Sequence, residues 1–245
     1  FEAHGLPCEF VGHPVLQSGA DGGSAQKFRH KFEIAPDRRL LGILPGSRKG
    51  EVTRHLPLIH RSLELSNIMC EHTDLIVPLA DNVSEIVRAE MSTWNYNIYF
   101  VAEKDKYDAF AALHGAVAAS GTVALELAMA KVPFLTIYLM APFSNYLARR
   151  IVNLKYVNLI NILLDKPVVP ELLLESCTAE MISLALSDIW SGEKMREQQI
   201  SNFEDTIKLL RAGYETPSII AAQAVLDVLD DPVTLLENKH HHTEC

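Results

Sequence analysis

Between residues 40 and 138 the sequence alternates short apolar runs with stretches of helical spacing, and this alternation restricts the fold more than any other feature of the chain. The runs LLGIL (Leu40–Leu44), DLIVPL (Asp74–Leu79), NIYFVA (Asn97–Ala102), GAVAAS (Gly115–Ser120) and PFLTIY (Pro133–Tyr138) are apolar almost throughout, as expected of strands covered on both faces. Helical patterns fill the intervals around 51–70, 82–92, 106–113 and 122–130. Strand and helix in alternation imply parallel strands joined by right-handed crossovers, so the expected class is a doubly wound α/β sheet. After about residue 143 the strands stop, and MISLALSDIW, NFEDTIKLLR and IIAAQAVLDVL predict helices only.

Ligands of such sheets bind beyond the carboxyl ends of the strands, which directs attention to the turns leaving them. In LGILPGSRKGEV, Pro45 and Gly46 allow a sharp turn, Ser47 reads as the cap of the next helix, and Arg48 falls in its first turn. A guanidinium beside a helix N-terminus suits an anion such as a pyrophosphate, whereas the plainer reading is a turn followed by a solvated arginine. Neither the Walker pattern nor GxGxxG is present, which weighs against a kinase or a nicotinamide enzyme. In AASGTVALELAMAKVPFLTIY, Ser120 reads as the N-cap that closes the strand, and the amides of Ser120, Gly121 and Thr122 are expected to open toward the ligand edge. Glu126, four residues after Thr122, falls on the same helical face. There it can accept hydrogen bonds from the vicinal hydroxyls of a ribose, or it can simply complement the helix dipole.

Composition narrows the classes. A net charge of −9 and a pI near 5.6 exclude nonspecific nucleic-acid binding as the main role. Cys8, Cys70, Cys177 and Cys245 lie far apart with no pair at zinc spacing, which predicts reduced thiols in a cytoplasmic protein. No apolar run reaches the ~18–20 residues of a membrane span. No Asp-x-Asp occurs, so no metal and no cofactor are expected. Trp94 and Trp190 read as packing residues, and His13 as a loop histidine that also lies where it could approach the site. In YLARRIVNLK, Arg149, Arg150 and Lys155 read either as a solvated helix face or as a peripheral contact with phospholipid or an acylated substrate. Phe1 in place of an initiator Met predicts a processed chain or a fragment, and His240, His241 and His242 belong to an expected disordered tail.

HGLPCEFVGHPV, LLGILPGSRKGEV, AASGTVALELAMAKVPFLTIY and MAPFSNYLARRIVNLKYVNLINILLDKPVVPELL, in this order, resemble the C-terminal portion of the lipid-A-disaccharide synthases, from about residue 5 to 228. The resemblance implies a glycosyltransferase of the GT-B type, family 19, in which two Rossmann-like domains face each other and the second holds the nucleotide sugar. It implies inverting transfer from UDP-2,3-diacylglucosamine to 2,3-diacylglucosamine 1-phosphate, releasing UDP, in the cytoplasm or peripherally on the inner membrane of a Gram-negative bacterium. Donor residues carried over by the match are Ser47, Arg48, Ser120, Gly121, Thr122, Glu126 and Asn161 of NLIN. The general base is expected in an N-terminal domain that this chain lacks, so the isolated chain is expected to be inactive. Leu139 follows Tyr138 where relatives often have arginine. The implied organisation is an interdomain segment with a flexible loop at QSGADGGSAQ (1–37), a Rossmann-like nucleotide-sugar domain (38–185), C-terminal helices (186–232) and a tail (233–245). Another UDP-sugar enzyme of this architecture, whether epimerase or transferase, and a non-catalytic nucleotide-binding fragment are the alternatives.

Overall fold

A computed structural model describes residues 8–69, 72–139, 155–213 and 216–230. Contacts group the chain into a larger unit, 19–206, and a smaller one formed by the two ends, 1–18 with 207–245.

The larger unit contains helix α1 (Ala25–Lys31), strand β1 (Arg39–Leu44), α2 (Lys49–Leu65), β2 (Thr73–Pro78), α3 (Ser84–Met91), β3 (Ile98–Val101), α4 (Lys106–Ala112), β4 (Gly115–Ala119), α5 (Val123–Met129) and β5 (Phe134–Tyr138). After these come α6 (Leu159–Leu164), β6 (Glu171–Leu173), α7 (Ala179–Ser191) and, as far as Thr206, α8 (Glu193–Leu209). The strands form one sheet in the order β3-β2-β1-β4-β5-β6, and every pair is parallel. The expected doubly wound α/β class is what the chain adopts.

Side chains alternate across this sheet, which divides the core into two layers. Leu41 and Ile43 of β1, Leu75 and Val77 of β2, Val117 of β4 and Leu135 and Ile137 of β5 meet α2, α3 and α7 on one face. The burial of Val52, His55, Leu56, Ile59, Ser62 and Leu63 follows the three-to-four-residue spacing of one face of α2. On the other face Phe134 of β5 stacks on Phe203 of α8 at 5.6 Å. Trp94 and Trp190 both pack as expected: Trp94 lies against His60 with ring centroids 4.6 Å apart, and Trp190 takes the Arg39 guanidinium on its face at 4.1 Å.

Three sequence expectations change. A sixth strand follows residue 143: Glu171–Leu173 pairs with Thr136–Tyr138. At three residues it carries no readable alternation, and its place is set by the partner strand. QSGADGGSAQ is not a free loop but leads into α1, which Ser24 caps through Lys27 N at 3.3 Å. Gly23 packs so tightly under the Tyr107 carbonyl that no side chain fits there, and the Ser24 amide donates to Asp108 Oδ1 at 2.9 Å. A boundary at 185/186 falls inside α7, whose Ile189 and Trp190 complete the core.

In the smaller unit the His13 amide donates to Leu210 O at 3.0 Å, and Gln17 exchanges hydrogen bonds with Ser218 at the start of α9 (Pro217–Asp230). His13 caps the short 3-10 turn Pro14–Gln17 through Nδ1, as a loop histidine would. The histidines at 240–242 lie outside the described residues.

The start of the sheet is held by polar groups. Asp74 is buried and takes a forked hydrogen bond from Arg38, with Nε at 2.8 Å, and a third bond from Asn97 at 3.0 Å. His114 Nδ1 accepts from the Leu40 amide at 3.0 Å, which requires that nitrogen to be unprotonated. Burial, followed by the nearby charges of Arg39, Arg29 and Arg196, lowers the His114 pKa to about 4. The folded state therefore refuses a proton that the unfolded chain accepts near pH 6.5. His114's contribution is complete above that pH and is lost as the pH falls toward 4, a change of about 3 kcal/mol. Urea unfolding between pH 7 and 4.5 should show this loss. His114→Asn, which keeps an acceptor but cannot titrate, should flatten it, and an unchanged pH slope in the variant would assign the acid sensitivity elsewhere.

Candidate functional site

The strand order turns around between β1 and β4, so the chain leaves these neighbours in opposite directions and a gap opens at their carboxyl ends. A cleft of about 430 Å³ occupies it. It is lined by the turn after β1, the end of β2, the turn after β4, and the side chains of Glu51, Glu103, Lys106 and Glu126.

Gly46 makes the first turn possible. Its φ is +111°, and a side chain there would put Cβ 2.5 Å from Glu51 Oε2. His55 holds the turn from beneath: its Nδ1 lies 2.7 Å from Pro45 O, and its Nε2 accepts from the Leu139 amide at 3.2 Å. That pairing assigns a neutral ring with the proton on Nδ1, and burial lowers its pKa. Asn82 fixes the next residue by donating to Ser47 O at 2.7 Å.

The helix cap differs from the expectation. Arg48, not Ser47, is the N-cap of α2, in extended conformation. Glu51 at N3 turns back to the Arg48 amide at 3.3 Å and pairs with its guanidinium at 2.8 Å, the reciprocal half of a capping box. Ser47 and Arg48 nevertheless both line the cleft, and the Arg48 side chain is 80% exposed at its rim.

In the second turn the N-cap of α5 is Thr122 rather than Ser120. Ser120 is still part of the sheet, since its amide donates to Ile137 O at 3.0 Å and so is not open to a ligand. Among the described residues no hydrogen bond engages the amides of Gly121 and Thr122 or the hydroxyls of Ser120 and Thr122, and all three residues line the cleft. Glu126 stands one turn further. Its Oε1 accepts from Tyr107 OH at 2.9 Å and Lys106 Nζ at 3.2 Å, and Oε2 is engaged by no described residue. Lys106 also pairs with Glu103 at 2.6 Å. Burial opposes the lysine's charge, yet its bonds and proximity to Glu103 and Glu126 raise its pKa overall.

Six of the seven predicted residues thus meet at one cleft. Asn161 does not. It is buried, with its amide spanning Val169 N, Val169 O and Glu171 Oε1 at 2.9, 2.8 and 2.7 Å. Glu171 also accepts from the Val157 and Asn158 amides, so YVNLIN fastens this segment to β6. Lys155 pairs with Asp165 at 2.6 Å, while Arg149 and Arg150 lie outside the described residues. Sequence reasoning missed Lys106, Glu103, Tyr107 and His55. The first three follow β3, and the rule that singled out the turns after β1 and β4 applies there too. Nothing in the sequence marked His55. Cys177 is buried, and its thiol is pushed up to about 11, which leaves it inert at neutral pH. Among the described residues no three His, Cys, Asp or Glu side chains converge as for a metal, and no helix is long and apolar enough to cross a membrane.

Residues 1–225 match the model of a family described as lipid-A-disaccharide synthetase. The chain belongs to that family. It is 45% identical to the lipid-A-disaccharide synthase of Rhodospirillum centenum over 94% of this chain and 57% of the relative, and 36% identical to that of Gluconobacter oxydans over 96% and 57%. The chain therefore spans little more than half the length of these relatives. Among solved structures it resembles WaaG, a glycosyltransferase involved in lipopolysaccharide biosynthesis (TM-score 0.51, 20% identity, 80% of this chain and 50% of that one). It also resembles a glycosyltransferase from Rickettsia africae (TM-score 0.55, 11% identity, 87% and 52%). At these identities the likeness is one of fold: a GT-B half.

The two turns respond differently to a methyl group. Gly46→Ala meets both an unfavourable φ and the Glu51 carboxylate, so it should cost about 1–3 kcal/mol of stability. Gly121→Ala meets open space and should stay within about 0.5 kcal/mol of the parent. Denaturant titration of both variants tests the contrast, and equal stabilities would mean that the Gly46 turn relaxes freely.

Proposed function

We propose that this cleft holds the nucleotide diphosphate of a UDP-sugar, and that the chain carries the donor half of a lipid-A-disaccharide synthase. The observation that carries this reading is the convergence of the GSR and SGT turns and Glu126 at the point where the strand order reverses. The fold supplies the phosphate environment: the open amides of Gly121 and Thr122, the Ser47 and Thr122 side chains and the Arg48 fork surround one volume. Glu126 presents its unused Oε2 to the ribose hydroxyls, while Tyr107 and Lys106 hold Oε1.

Family membership supports UDP-2,3-diacylglucosamine as donor and 2,3-diacylglucosamine 1-phosphate as acceptor, with inversion at the anomeric carbon. In such a transfer the donor half stabilises negative charge developing on the departing UDP, which needs fixed cations and backbone amides rather than a base. The acceptor site and the general base are assigned to the remainder of the full-length enzyme. We place the reaction at the cytoplasmic face of the inner membrane, where a soluble nucleotide meets acylated sugars.

Two measurements test the reading. Glu126→Ala should weaken calorimetric binding of UDP by ~1.5–3 kcal/mol, tenfold or more, and should not weaken binding of 2′,3′-dideoxy-UDP, because only UDP loses charge-assisted hydrogen bonds. Equal losses for both ligands would make Glu126 structural. The 245-residue polypeptide should also bind UDP yet release none from the diacylated sugar nucleotide with acceptor present, since an aligned base and acceptor dominate such rates. Robust turnover would place the base in this half.

A further inference from the structure

Among the described residues, the ionic groups lining the cleft are two cations, Arg48 and Lys106, and three carboxylates, Glu51, Glu103 and Glu126, which leaves a formal charge of −1. On side-chain charge alone that balance disfavours a diphosphate, so beside the backbone amides of Gly121 and Thr122 the less screened cation matters most. The two cations differ in exactly that respect. Both are paired with carboxylates, but the Arg48 side chain is 80% exposed, so water screens it. The Lys106 side chain is only 14% exposed, and it opens α4 at the edge of the cleft. Its field therefore acts through a poorly screening medium.

The lysine's partners differ as well. Glu103 is 66% exposed and weakened by solvent, whereas Glu126 is 18% exposed and faces the same volume. Lys106 thus offsets Glu126, one of two weakly screened carboxylates facing the cleft; the other, Glu51, is 12% exposed and is paired with Arg48. The raised pKa of Lys106 keeps it charged at neutral pH.

We propose that Lys106 is a diphosphate-binding residue and the cation that admits an anionic nucleotide to this cleft, carrying more of the electrostatic attraction than Arg48. The inference rests on the donor-site reading and adds a residue to it. The predicted signature separates phosphate from nucleoside. Lys106→Met should raise the Kd for UDP at least about tenfold and the Kd for uridine less than about threefold, because uridine has no charge to be attracted. Lys106→Arg, which keeps the charge, should recover most of the UDP affinity. Arg48→Met should cost UDP less than Lys106→Met does, as expected for an exposed cation.

Calorimetry of UDP and uridine against the parent chain and the three variants decides the matter, with circular dichroism as the independent check that each variant folds. Should Lys106→Met not fold, Lys106→Gln is read by the same criteria. UDP affinity unchanged in the neutral variant, parallel losses of UDP and uridine, or a larger loss from Arg48→Met would each overturn the assignment of Lys106 while leaving the donor site intact. Failure of the parent chain to bind UDP at all would instead remove the reading on which it rests.

Discussion

All six strands run in one direction, and the site depends on that constraint. Parallel pairing sends every carboxyl end to the same edge, so the turns after β1, β2, β3 and β4 can line one volume although Leu44 and Glu126 lie far apart in the chain. The reversal of order between β1 and β4 then keeps the turns apart enough to leave a cleft. The central strand β4 is built from Gly115, Ala116, Val117, Ala118 and Ala119, and its small side chains let the covering layer come close: Gly115 lies under Ile189 and Trp190 of α7.

Buried polar side chains perform the alignment that apolar packing cannot. Among the described residues every buried side-chain nitrogen and oxygen has a partner. His55 joins the GSR turn to the residue after β5, Asp74 gathers Arg38 and Asn97 at the opposite edge, and Gln199 bonds both the amide and carbonyl of Phe134. Each such bond is worth little on balance, but a misplaced loop would leave a buried group unsatisfied, which is costly. Hydrophobic burial holds the layers together, and these polar groups set where the turns stand.

The cleft itself is a compromise between order and charge. Glu51 and Glu126 organise the two turns by accepting hydrogen bonds from Arg48, Tyr107 and Lys106, and in doing so they bring negative charge to the place where an anion is to bind. Lys106 restores the balance from another turn, after β3, so the electrostatics of the site belong to the assembled sheet edge rather than to either motif alone.

The sequence by itself determined the class of fold, because nearly continuous apolar runs between helical patterns admit only strands buried on both faces. It also located two of the turns at the site, because Pro-Gly-Ser-Arg and Ser-Gly-Thr interrupt regular structure, although it misassigned the helix cap in each. Only the tertiary structure decided the rest, where the deciding partner is distant in the chain. Ser120 lost its role as a cap to a sheet bond with Ile137, and β6 exists because β5 offers it an edge. Asn161 was drawn into Glu171's network instead of the cleft. Lys106 became a site residue only when the end of β3 came to rest beside Glu126. Local propensity writes turns and periodicities into the chain, whereas the partner of a hydrogen bond or an ion pair is chosen by the packing that brings two separated segments together.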